Sequence, residues 1–443
     1  MSSDEKMAIS LIHLGCPKNL IDTEKILGNL AVAENYIISQ MPEDSDIVLI
    51  NTCGFIEDAR KEARKTIKST LKMKKKGQIK AVIAIGCMVE LYKEKLLQEF
   101  PDLDGVIGFS DYKEINEYIQ SILQKKQQIF LSQKDFVPSD DLRLRVTARN
   151  YAYLRVTEGC SNHCTYCNIP GIRGEMRSKD PSQILQEART LVEDGVKELV
   201  IIGQDTANYG KDLANPCDLY DIVEQLSKLE GLRWMRIMYM HPAHFTERFF
   251  ALFSLPKVLP YLEMPIQHIN TRILRLMGRG NTSKEYLHGL LTKLRNTIPG
   301  LILRSTVMVG FPGETEEEFQ ELLHFLQEFR LERLGAFCYS SEPGTASYQN
   351  EDLPYAIKKE RYEKVMQLQQ KIAFEWAKNM VGKELEIVVE ECVEENLWQC
   401  RSYGEAPEID PCIYLQGKKL KSGTFHRVKI VQNENYDLIA KKI

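Results

Sequence analysis

Three runs of apolar, largely β-branched residues open the chain, and each is long enough for one strand. They cover residues 9–14, 47–51 and 81–85, and a charged stretch with helical character covers residues 58–76. Near-continuous apolar strands that alternate with helices are typical of a parallel sheet buried on both faces. The first part of the chain is therefore predicted to be a parallel α/β sandwich.

A second alternation of strands and helices begins near residue 151. The predicted strands cover residues 151–157, 198–202, 232–238, 261–265, 303–309 and 333–339, with helices over 182–194, 219–228 and 315–329. Thr315 and Glu318 fit a capping box at the start of the last of these helices. Six strand–helix units are fewer than the eight of a closed barrel. We therefore predict a partial, TIM-like (βα)6 barrel with a lateral opening for a large substrate.

The pattern changes again towards the C-terminus. Residues 351–378 are helical and charged, and short alternating strands with interspersed glycines follow. This pattern predicts a small antiparallel barrel similar to the OB-fold. From Asn379 to Ile443, nine Lys and Arg stand against eleven Asp and Glu, a net charge of −2. Because phosphate contacts dominate nucleic-acid affinity, this acidic module favours a basic protein segment as its partner.

Length and composition set the domain count. The 443 residues suffice for roughly three domains of about 150 residues each. We predict an N-terminal domain over residues 7–122, a polar linker over 123–147, the partial barrel over 148–378 and the small β-barrel over 379–443. The N-terminus shows no secretory pattern, and no apolar run approaches the ~20 residues that cross a bilayer. We therefore expect a cytoplasmic protein without a membrane partner.

Three cysteines follow the strand at residues 151–157 at a C-x3-C-x2-C spacing. They are Cys160, Cys164 and Cys167. Thiolates are soft ligands that suit zinc and iron–sulfur clusters, and a structural zinc site usually takes four protein ligands. Three thiolates at this spacing favour a cubane iron–sulfur cluster with one open iron. The alternative is a three-cysteine zinc loop, with His163 as a fourth ligand or a bystander.

A second set of three cysteines is spread over the first domain. Each of the three apolar strands is followed at once by a cysteine with a glycine beside it, as Gly15-Cys16, Cys53-Gly54 and Gly86-Cys87. The carboxyl ends of parallel strands meet at one edge of a sheet, where ligands bind. Cys16, Cys53 and Cys87 are therefore expected to converge into a second three-thiolate site. A zinc site, or three unrelated buried cysteines, are the alternatives.

Other polar residues carry weaker signals. His241, His244 and His268 follow predicted strands, and we do not expect any of them to be a metal ligand. The glycine-rich turn at residues 309–314 suits the close approach of a ribose or an adenine, although such turns are common. The helix that begins near residue 58 is strongly basic, which is typical of a solvated face and also suits a partner rich in RNA.

The whole chain resembles the radical S-adenosylmethionine methylthiotransferase family. The segments that carry the resemblance are Leu14-Gly15-Cys16-Pro17-Lys18-Asn19, Asn51-Thr52-Cys53-Gly54-Phe55-Ile56, Gly86-Cys87 and the Cys160–Cys164–Cys167 motif. The C-terminal barrel looks like the family's TRAM domain. Pro17-Lys18-Asn19 and Ala406-Pro407-Glu408-Ile409-Asp410 resemble the branch that modifies small-subunit ribosomal protein twelve rather than the tRNA branch. Lys179 and Pro411 depart from the usual arginine and glycine, and neither departure removes a ligand.

The resemblance implies an enzyme with S-adenosylmethionine and two [4Fe-4S] clusters, on Cys160, Cys164 and Cys167 and on Cys16, Cys53 and Cys87. It implies radical methylthiolation of the β-carbon of an aspartate in the ribosomal protein, with the ribosome and an electron donor such as flavodoxin as further partners. Tyr166, Gln204 and Gly310 would contact S-adenosylmethionine, and no catalytic residue beyond the cluster ligands is expected. The alternatives are the same chemistry on an adenosine of tRNA and a non-catalytic, metal-containing scaffold that binds the ribosome.

Overall fold

The computed structural model of the chain describes residues 6–125, 127–131, 134–215 and 217–443. The chain divides into two compact units. The first comprises Met1–Val146, Arg155–Glu187 and Glu342–Thr345, and the second comprises Thr147–Leu154, Ala188–Ser341 and Ala346–Ile443. Within the described residues, no helix combines the length and the apolar character that a membrane crossing requires.

The first unit is built on a six-stranded sheet in the order β2-β1-β3-β4-β5-β6, and its neighbouring strands pair in parallel. The elements are β1 (Met7–His13), α1 (Pro17–Val32), β2 (Tyr36–Ile38), β3 (Ile47–Thr52), α2 (Glu57–Lys75), β4 (Ala81–Gly86), α3 (Cys87–Tyr92), α4 (Glu94–Glu99), β5 (Gly105–Ile107), α5 (Ile115–Gln124) and β6 (Gln128–Phe130). One apolar core lies between the sheet and α2, and a second lies between the sheet and α1 and α5. Helices on both faces explain why β3 and β4 are buried at every position, and they confirm the predicted sandwich.

A second parallel sheet follows in the order β14-β13-β12-β11-β10-β7, and it stays open. The elements are β7 (Tyr151–Arg155), β8 (Thr157–Glu158), α6 (Ile169–Arg173), β9 (Arg177–Ser178), α7 (Pro181–Glu193), β10 (Glu198–Ile202), α8 (Leu219–Ser227), β11 (Trp234–Ile237), β12 (Val258–Glu263), α9 (Thr271–Leu276), α10 (Lys284–Thr297), β13 (Ile302–Val309), α11 (Glu316–Phe329), β14 (Arg333–Cys338) and α12 (Tyr355–Met380). Six strands without closure confirm the partial barrel. Thr315 and Glu318 form the predicted capping box, with each side chain bonded to the other residue's backbone N–H.

The C-terminal strands form a closed barrel in the order β15-β16-β17-β19-β18. They are β15 (Glu384–Glu394), β16 (Leu397–Arg401), β17 (Ile413–Gln416), β18 (Phe425–Glu434) and β19 (Asp437–Lys442). The barrel is confirmed, with one difference: β17 and β19 pair in parallel, while the other pairs are antiparallel. Ala377 and Met380 at the end of α12 contribute to its core.

Buried charges and hydrogen bonds attach this barrel to the open sheet within the second unit. Glu198 on β10 lies 2.9 Å from Arg236 Nε and 2.8 Å from Arg401 Nη2, and all three residues are at most 2% exposed. The segment 406–410 is part of the same attachment. Tyr151 donates a hydrogen bond to Glu408, and Tyr261 donates one to Asp410 at 2.7 Å. Glu408 and Asp410, which lie in one of the two segments that resemble the ribosomal-protein branch, therefore help to attach the barrel.

Among its described residues, the segment that we predicted as a linker, residues 123–147, is regular in one part and buried in another. It contains β6, which extends the first sheet, and Asp140, which is 4% exposed. In the compact units, residues 155–187 group with the N-terminal sheet, and the predicted domain limits stay a prediction. The composition of this stretch is polar, which suggested exposure to solvent. Asp140 is buried nevertheless, because its carboxylate pairs with Arg155 and Lys179.

Candidate iron–sulfur and cofactor site

Cys16, Cys53 and Cys87 follow β1, β3 and β4 at the carboxyl edge of the first sheet. The strand register aligns the ends of these strands, because His13 pairs with Asn51 and Thr52 pairs with Gly86. Cys16 lies just before α1, and Cys87 is the first residue of α3. The structure therefore places the three cysteines at one sheet edge, and their joint binding of a cluster stays a prediction.

The three neighbouring glycines allow the backbone segments around these cysteines to pack closely. Gly15 has φ +106°, and a Cβ atom there would lie 2.9 Å from Cys53 Cβ. A Cβ atom on Gly54 would lie 2.9 Å from the carbonyl oxygen of Cys87, and one on Gly86 (φ +92°) would lie 2.3 Å from Asn51 Oδ1. A side chain at Gly15 or Gly54 would therefore push against the segment of another cysteine, and Gly15 and Gly86 also adopt a positive φ that favours glycine.

The electrostatics of this site favour a cationic group among the three thiols. Burial raises the pKa of the Cys87 thiol to about 12, opposed by the Arg173 guanidinium and reinforced by Cys53 and Cys16. Burial, followed by the nearby Cys16, also raises the pKa of Cys53. Burial and the neighbouring cysteines therefore both disfavour the thiolate forms of Cys53 and Cys87. An iron–sulfur cluster binds thiolates, so this donor set fits one.

Cys160, Cys164 and Cys167 lie on a loop between β8 and α6, in the same compact unit as the first three cysteines. The backbone N–H of Cys160 donates to the carbonyl of Gly174 at 3.1 Å, and that of Cys167 donates to the carbonyl of Cys164 at 3.1 Å. Gly159, just before the motif, has φ +78°, and a Cβ atom there would lie 2.1 Å from the carbonyl oxygen of Glu175. The loop is thus held against the end of α6.

The short helix α6 links the two sets of cysteines. Its last residue, Arg173, donates from Nη2 to Cys87 Sγ at 3.3 Å, while the adjacent Gly174 accepts from Cys160. Contacts between α3 and α6 accompany this arrangement. The two sets of cysteines are more than 70 residues apart in the sequence. In the structure they are joined through two consecutive residues, Arg173 and Gly174.

A buried network of charges surrounds this link. Arg173 Nη1 donates to both oxygens of Glu158, and Arg173 Nη2 donates to Asp22 at 2.8 Å. Arg155 donates to Asp22 at 2.8 Å and to Glu158 at 2.7 Å. All four side chains are at most 2% exposed. This network was not predicted from the sequence; the available signal was that Asp22 directly follows the apolar residues Leu20 and Ile21 in α1.

The network continues to the residue that departs from the family pattern. Lys179 Nζ lies 2.8 Å from Asp140 and 2.6 Å from Glu187, and it is fully buried. Asp140 also accepts two hydrogen bonds from Arg155. A lysine therefore supplies the cation that this position requires, and the substitution leaves the surrounding carboxylates paired.

The predicted cofactor contacts fall in both units. Tyr166 is in the first unit, whereas Gln204 and Gly310 are in the second, so their joint contact with S-adenosylmethionine stays a prediction. Gly310 has φ +71°, and a Cβ atom there would lie 2.3 Å from Cγ of Lys358. Gly310 is thus required because the side chain of Lys358 packs against it, whether or not a cofactor binds at this turn. Glu314 closes the turn by accepting the N–H of Phe311 at 3.0 Å.

The structure also brings together Asp205, His241 and His244 at the carboxyl ends of β10 and β11. One potential ligand atom from each lies within 4.8 Å of the others. Asp205 already accepts from the backbone N–H of His241 at 3.2 Å and contacts His244 Nδ1 at 2.6 Å. Burial, then the nearby Arg279, lowers the pKa of His241 to about 3. These contacts describe a hydrogen-bonded group that fixes two loops, and our prediction about histidine ligands stays a prediction.

Family models match three stretches of the chain. The radical SAM superfamily matches residues 154–326, a model described as uncharacterized protein family UPF0004 matches residues 8–108, and the TRAM domain matches residues 381–443. Among solved structures, the radical S-adenosylmethionine methyltransferase TsrM from Kitasatospora setae covers 78% of this chain and 77% of its own, with a TM-score of 0.56 and 12% identity. At that identity the likeness concerns the fold. The fold and these matches define a radical S-adenosylmethionine enzyme, with S-adenosylmethionine and [4Fe-4S] clusters as cofactors.

Curated relatives are more specific. The ribosomal protein uS12 methylthiotransferase RimO of Desulfitobacterium hafniense is 39% identical over 98% of both chains. RimO of Clostridium perfringens is 40% identical over 98% of both chains, and RimO of Geotalea uraniireducens is 39% identical over 100% of this chain and 99% of its own. The chain belongs to the family of ribosomal protein uS12 methylthiotransferases, and it is accordingly a transferase of methylthio groups.

Proposed function

We propose that this enzyme methylthiolates the β-carbon of an aspartate in ribosomal protein uS12, with Cys160, Cys164 and Cys167 holding one cluster and Cys16, Cys53 and Cys87 holding the other. The observation that carries the proposal is the joining of both cysteine sets within one compact unit, through Arg173 and Gly174. The full-length relatives named for uS12 support the substrate.

The residues of the chain contribute mainly by positioning the two sets of thiolates. Each cysteine set offers three thiolates, which leaves one coordination position of a cubane cluster for a further ligand. When bound, the clusters and S-adenosylmethionine supply the electron, the hydrogen-abstracting radical and the methylthio group. The glycines at 15, 54 and 86 keep the second thiol set compact, and Gly159 holds the first set's loop against α6.

Charge supports a basic protein segment as the substrate. The C-terminal barrel carries a net charge of −2, and the hairpin between β15 and β16 exposes Glu391, Glu394 and Glu395. Complementary charge across an interface steers encounter and fixes register more than it sets affinity. We expect a cationic stretch of uS12 to contact this acidic hairpin before its aspartate reaches the thiol sites.

A stripe of lysines on α2 supports association with the ribosome itself. Lys65, Lys68 and Lys72 on the helix, and Lys76 directly after its last residue, are exposed, and they make no ion pair with the part of the chain that the structure describes. Spacings of three and four residues place them on one helical face, about 5–6 Å apart. Such a row of cations suits consecutive RNA phosphates. We propose that it contacts ribosomal RNA next to uS12.

The remaining partners follow from the chemistry. A low-potential electron carrier such as flavodoxin is required to reduce the cluster that binds S-adenosylmethionine, and we propose it as the reductant. Because the proposed substrate is a ribosomal protein, we place the enzyme in the cytoplasm.

The test uses anaerobically reconstituted enzyme, S-adenosylmethionine, dithionite and uS12, free or within the small subunit. We expect a mass increase on one aspartate equal to one methylthio group in place of one hydrogen. A Cys16→Ala/Cys53→Ala/Cys87→Ala variant should still release 5′-deoxyadenosine but leave uS12 without the methylthio group. Modification of tRNA instead of uS12 would replace the proposed substrate. A lack of S-adenosylmethionine cleavage by the wild-type enzyme would remove the proposal.

A further inference from the structure

Arg173 is placed to act on the second cluster, although it belongs to the helix after the first cysteine motif. Its Nη2 atom lies 3.3 Å from Cys87 Sγ, within the range of an N–H···S hydrogen bond. Cys87 itself begins α3, so two short helices bring the donor and the sulfur together. This contact is unusual for a buried arginine, whose partners are commonly carboxylates or carbonyl oxygens.

The orientation of the guanidinium is fixed from several sides. Nη1 donates to Glu158, Nη2 shares its two hydrogens among Asp22, Asn19 and Cys87, and the guanidinium carbon lies 4.8 Å from the centre of the Phe109 ring. Arginine presents its donors in a rigid planar fork. With the plane held by Phe109 and its edges held by oxygen acceptors, the direction towards Cys87 is set by the surroundings rather than by the sulfur.

Asn19 cannot replace Arg173 as the donor to this sulfur. Asn19 Nδ2 donates to the carbonyls of Leu14 and Thr52, which leaves its Oδ1 atom facing both Cys87 and Arg173. A carbonyl oxygen and a thiolate are both acceptors, so no hydrogen bond can form between them. Once Cys87 is a cluster ligand, and so a thiolate, Asn19 can only accept from Arg173, and Arg173 is the side chain that donates to the sulfur.

We propose that Arg173 is a positioning residue that raises the reduction potential of the cluster held by Cys16, Cys53 and Cys87. Reduction adds negative charge that the cluster shares with its sulfur ligands. A cationic hydrogen-bond donor at one of these sulfurs stabilises the reduced form more than the oxidised form. The effect is strong because the contact is buried, where charges are poorly screened. The inference rests on the proposed ligation of the second cluster.

The test isolates that cluster in the full-length chain. In a Cys160→Ala/Cys164→Ala/Cys167→Ala background, about four irons per chain should remain. We then expect Arg173→Gln to lower the midpoint potential, measured by redox titration with EPR detection. For this one-electron couple, a shift of about 59 mV in the midpoint potential corresponds to a tenfold change in the ratio of oxidised to reduced cluster. Arg173→Lys, which keeps the charge without the fork, should give a smaller shift.

Arg155→Lys is the matched control, because Arg155 is equally buried and shares Asp22 and Glu158 but has no sulfur partner among its described contacts. It should leave the potential unchanged. Equal shifts in the Arg155→Lys and Arg173→Lys proteins would overturn the proposal, since the same substitution at both positions would then report a general change in the network. Absence of iron from the background variant would instead refute the proposed ligation.

A second readout covers the case in which Arg173→Gln loses the cluster. Protein of the same background, grown with ¹⁵N-labelled arginine, should show a weak ¹⁵N coupling to the reduced cluster in pulsed EPR. That coupling should vanish in Arg173→Lys and persist in Arg155→Lys. A spectrum without the coupling in the parent protein, or with it intact after Arg173→Lys, would rule out the N–H···S contact.

Discussion

Replacing Glu198 by glutamine tests how the C-terminal barrel is attached to the open sheet. The Glu198 carboxylate lies between Arg236 and Arg401, and glutamine keeps its shape while removing its charge. Arg401 also pairs with Glu390 at 2.6 Å, so the four groups are electrically balanced in the wild type. The variant leaves one excess positive charge in this group, and the side chains of both arginines are at most 2% exposed.

The expected loss in the free energy of unfolding depends on which partners the two arginines retain. Removing one partner of a buried ion pair typically costs about 3–5 kcal/mol. Here Arg401 keeps Glu390, and Arg236 keeps the carbonyl of Tyr403 at 2.8 Å, so we expect the lower end, about 3 kcal/mol. Burial alone would raise the pKa of Glu198, but Arg401 and Arg236 outweigh burial and lower it. The charge therefore stabilises the fold above the pKa of an unfolded glutamate.

Tryptophan fluorescence during urea unfolding is the appropriate assay, because all three tryptophans, Trp234, Trp376 and Trp398, lie in the second unit. As the pH falls through the lowered pKa of Glu198, the difference between wild type and variant should disappear. Glu247→Gln is the control, since Glu247 pairs with Lys293 at the surface and should change stability by less than about 0.5 kcal/mol. Equal effects of the two substitutions at neutral pH would refute the reasoning.

Three further outcomes are expected. Gly15→Ala should lower the iron content from about eight to about four per chain, because its Cβ atom has no room at the second thiol site. Lys65→Glu/Lys68→Glu/Lys72→Glu should weaken binding to the small ribosomal subunit and reduce the slope of log K against log salt by about 2, which filter binding at several salt concentrations measures. Thr315→Ala should destabilise the second unit by about 1 kcal/mol, read by tryptophan fluorescence, because it removes the capping box of α11.

Each of these outcomes has a matched control. Gly77→Ala also changes a glycine with positive φ, but a Cβ atom there meets nothing within 4 Å, so iron content should not change. Lys418→Glu/Lys419→Glu/Lys421→Glu reverses three exposed lysines of the acidic barrel and should leave the salt slope as it was. Thr315→Ser keeps the capping oxygen and should be close to wild type. A variant that behaves like its control contradicts the corresponding explanation.

The elements that the sequence predicted best are those with a strong local pattern. The strands at residues 47–51 and 81–85 differ from β3 and β4 by one residue at most, because both are buried on two faces and read as unbroken apolar runs. The short strands β2, β5 and β6 were missed, since three residues give no periodicity. Convergence of Cys16, Cys53 and Cys87 could be predicted because strand direction alone determines it.

The contacts that join distant segments could not be predicted from local pattern. Arg173 was part of the motif region, but nothing in its neighbourhood indicated a bond to Cys87, which lies 86 positions earlier. Glu408 and Asp410 matched a family segment, yet their contacts with Tyr151 and Tyr261 depend on how the barrel is attached. Partners of this kind are chosen by tertiary structure, and a single sequence does not reveal them.

The buried charges of the first unit explain why its limits cut across the family matches. Asp22 lies in the N-terminal match, and its partners Arg155 and Arg173 lie in the radical SAM match. Separating these segments would remove both arginine partners of Asp22 and would leave Glu158 to balance Arg173 and part of Arg155, which is unfavourable for buried charges. Residues 155–187 therefore fold with the N-terminal sheet, and the loop of Cys160 comes with them. An apolar interface would hold the segments together as well, but it would not present a cation to Cys87.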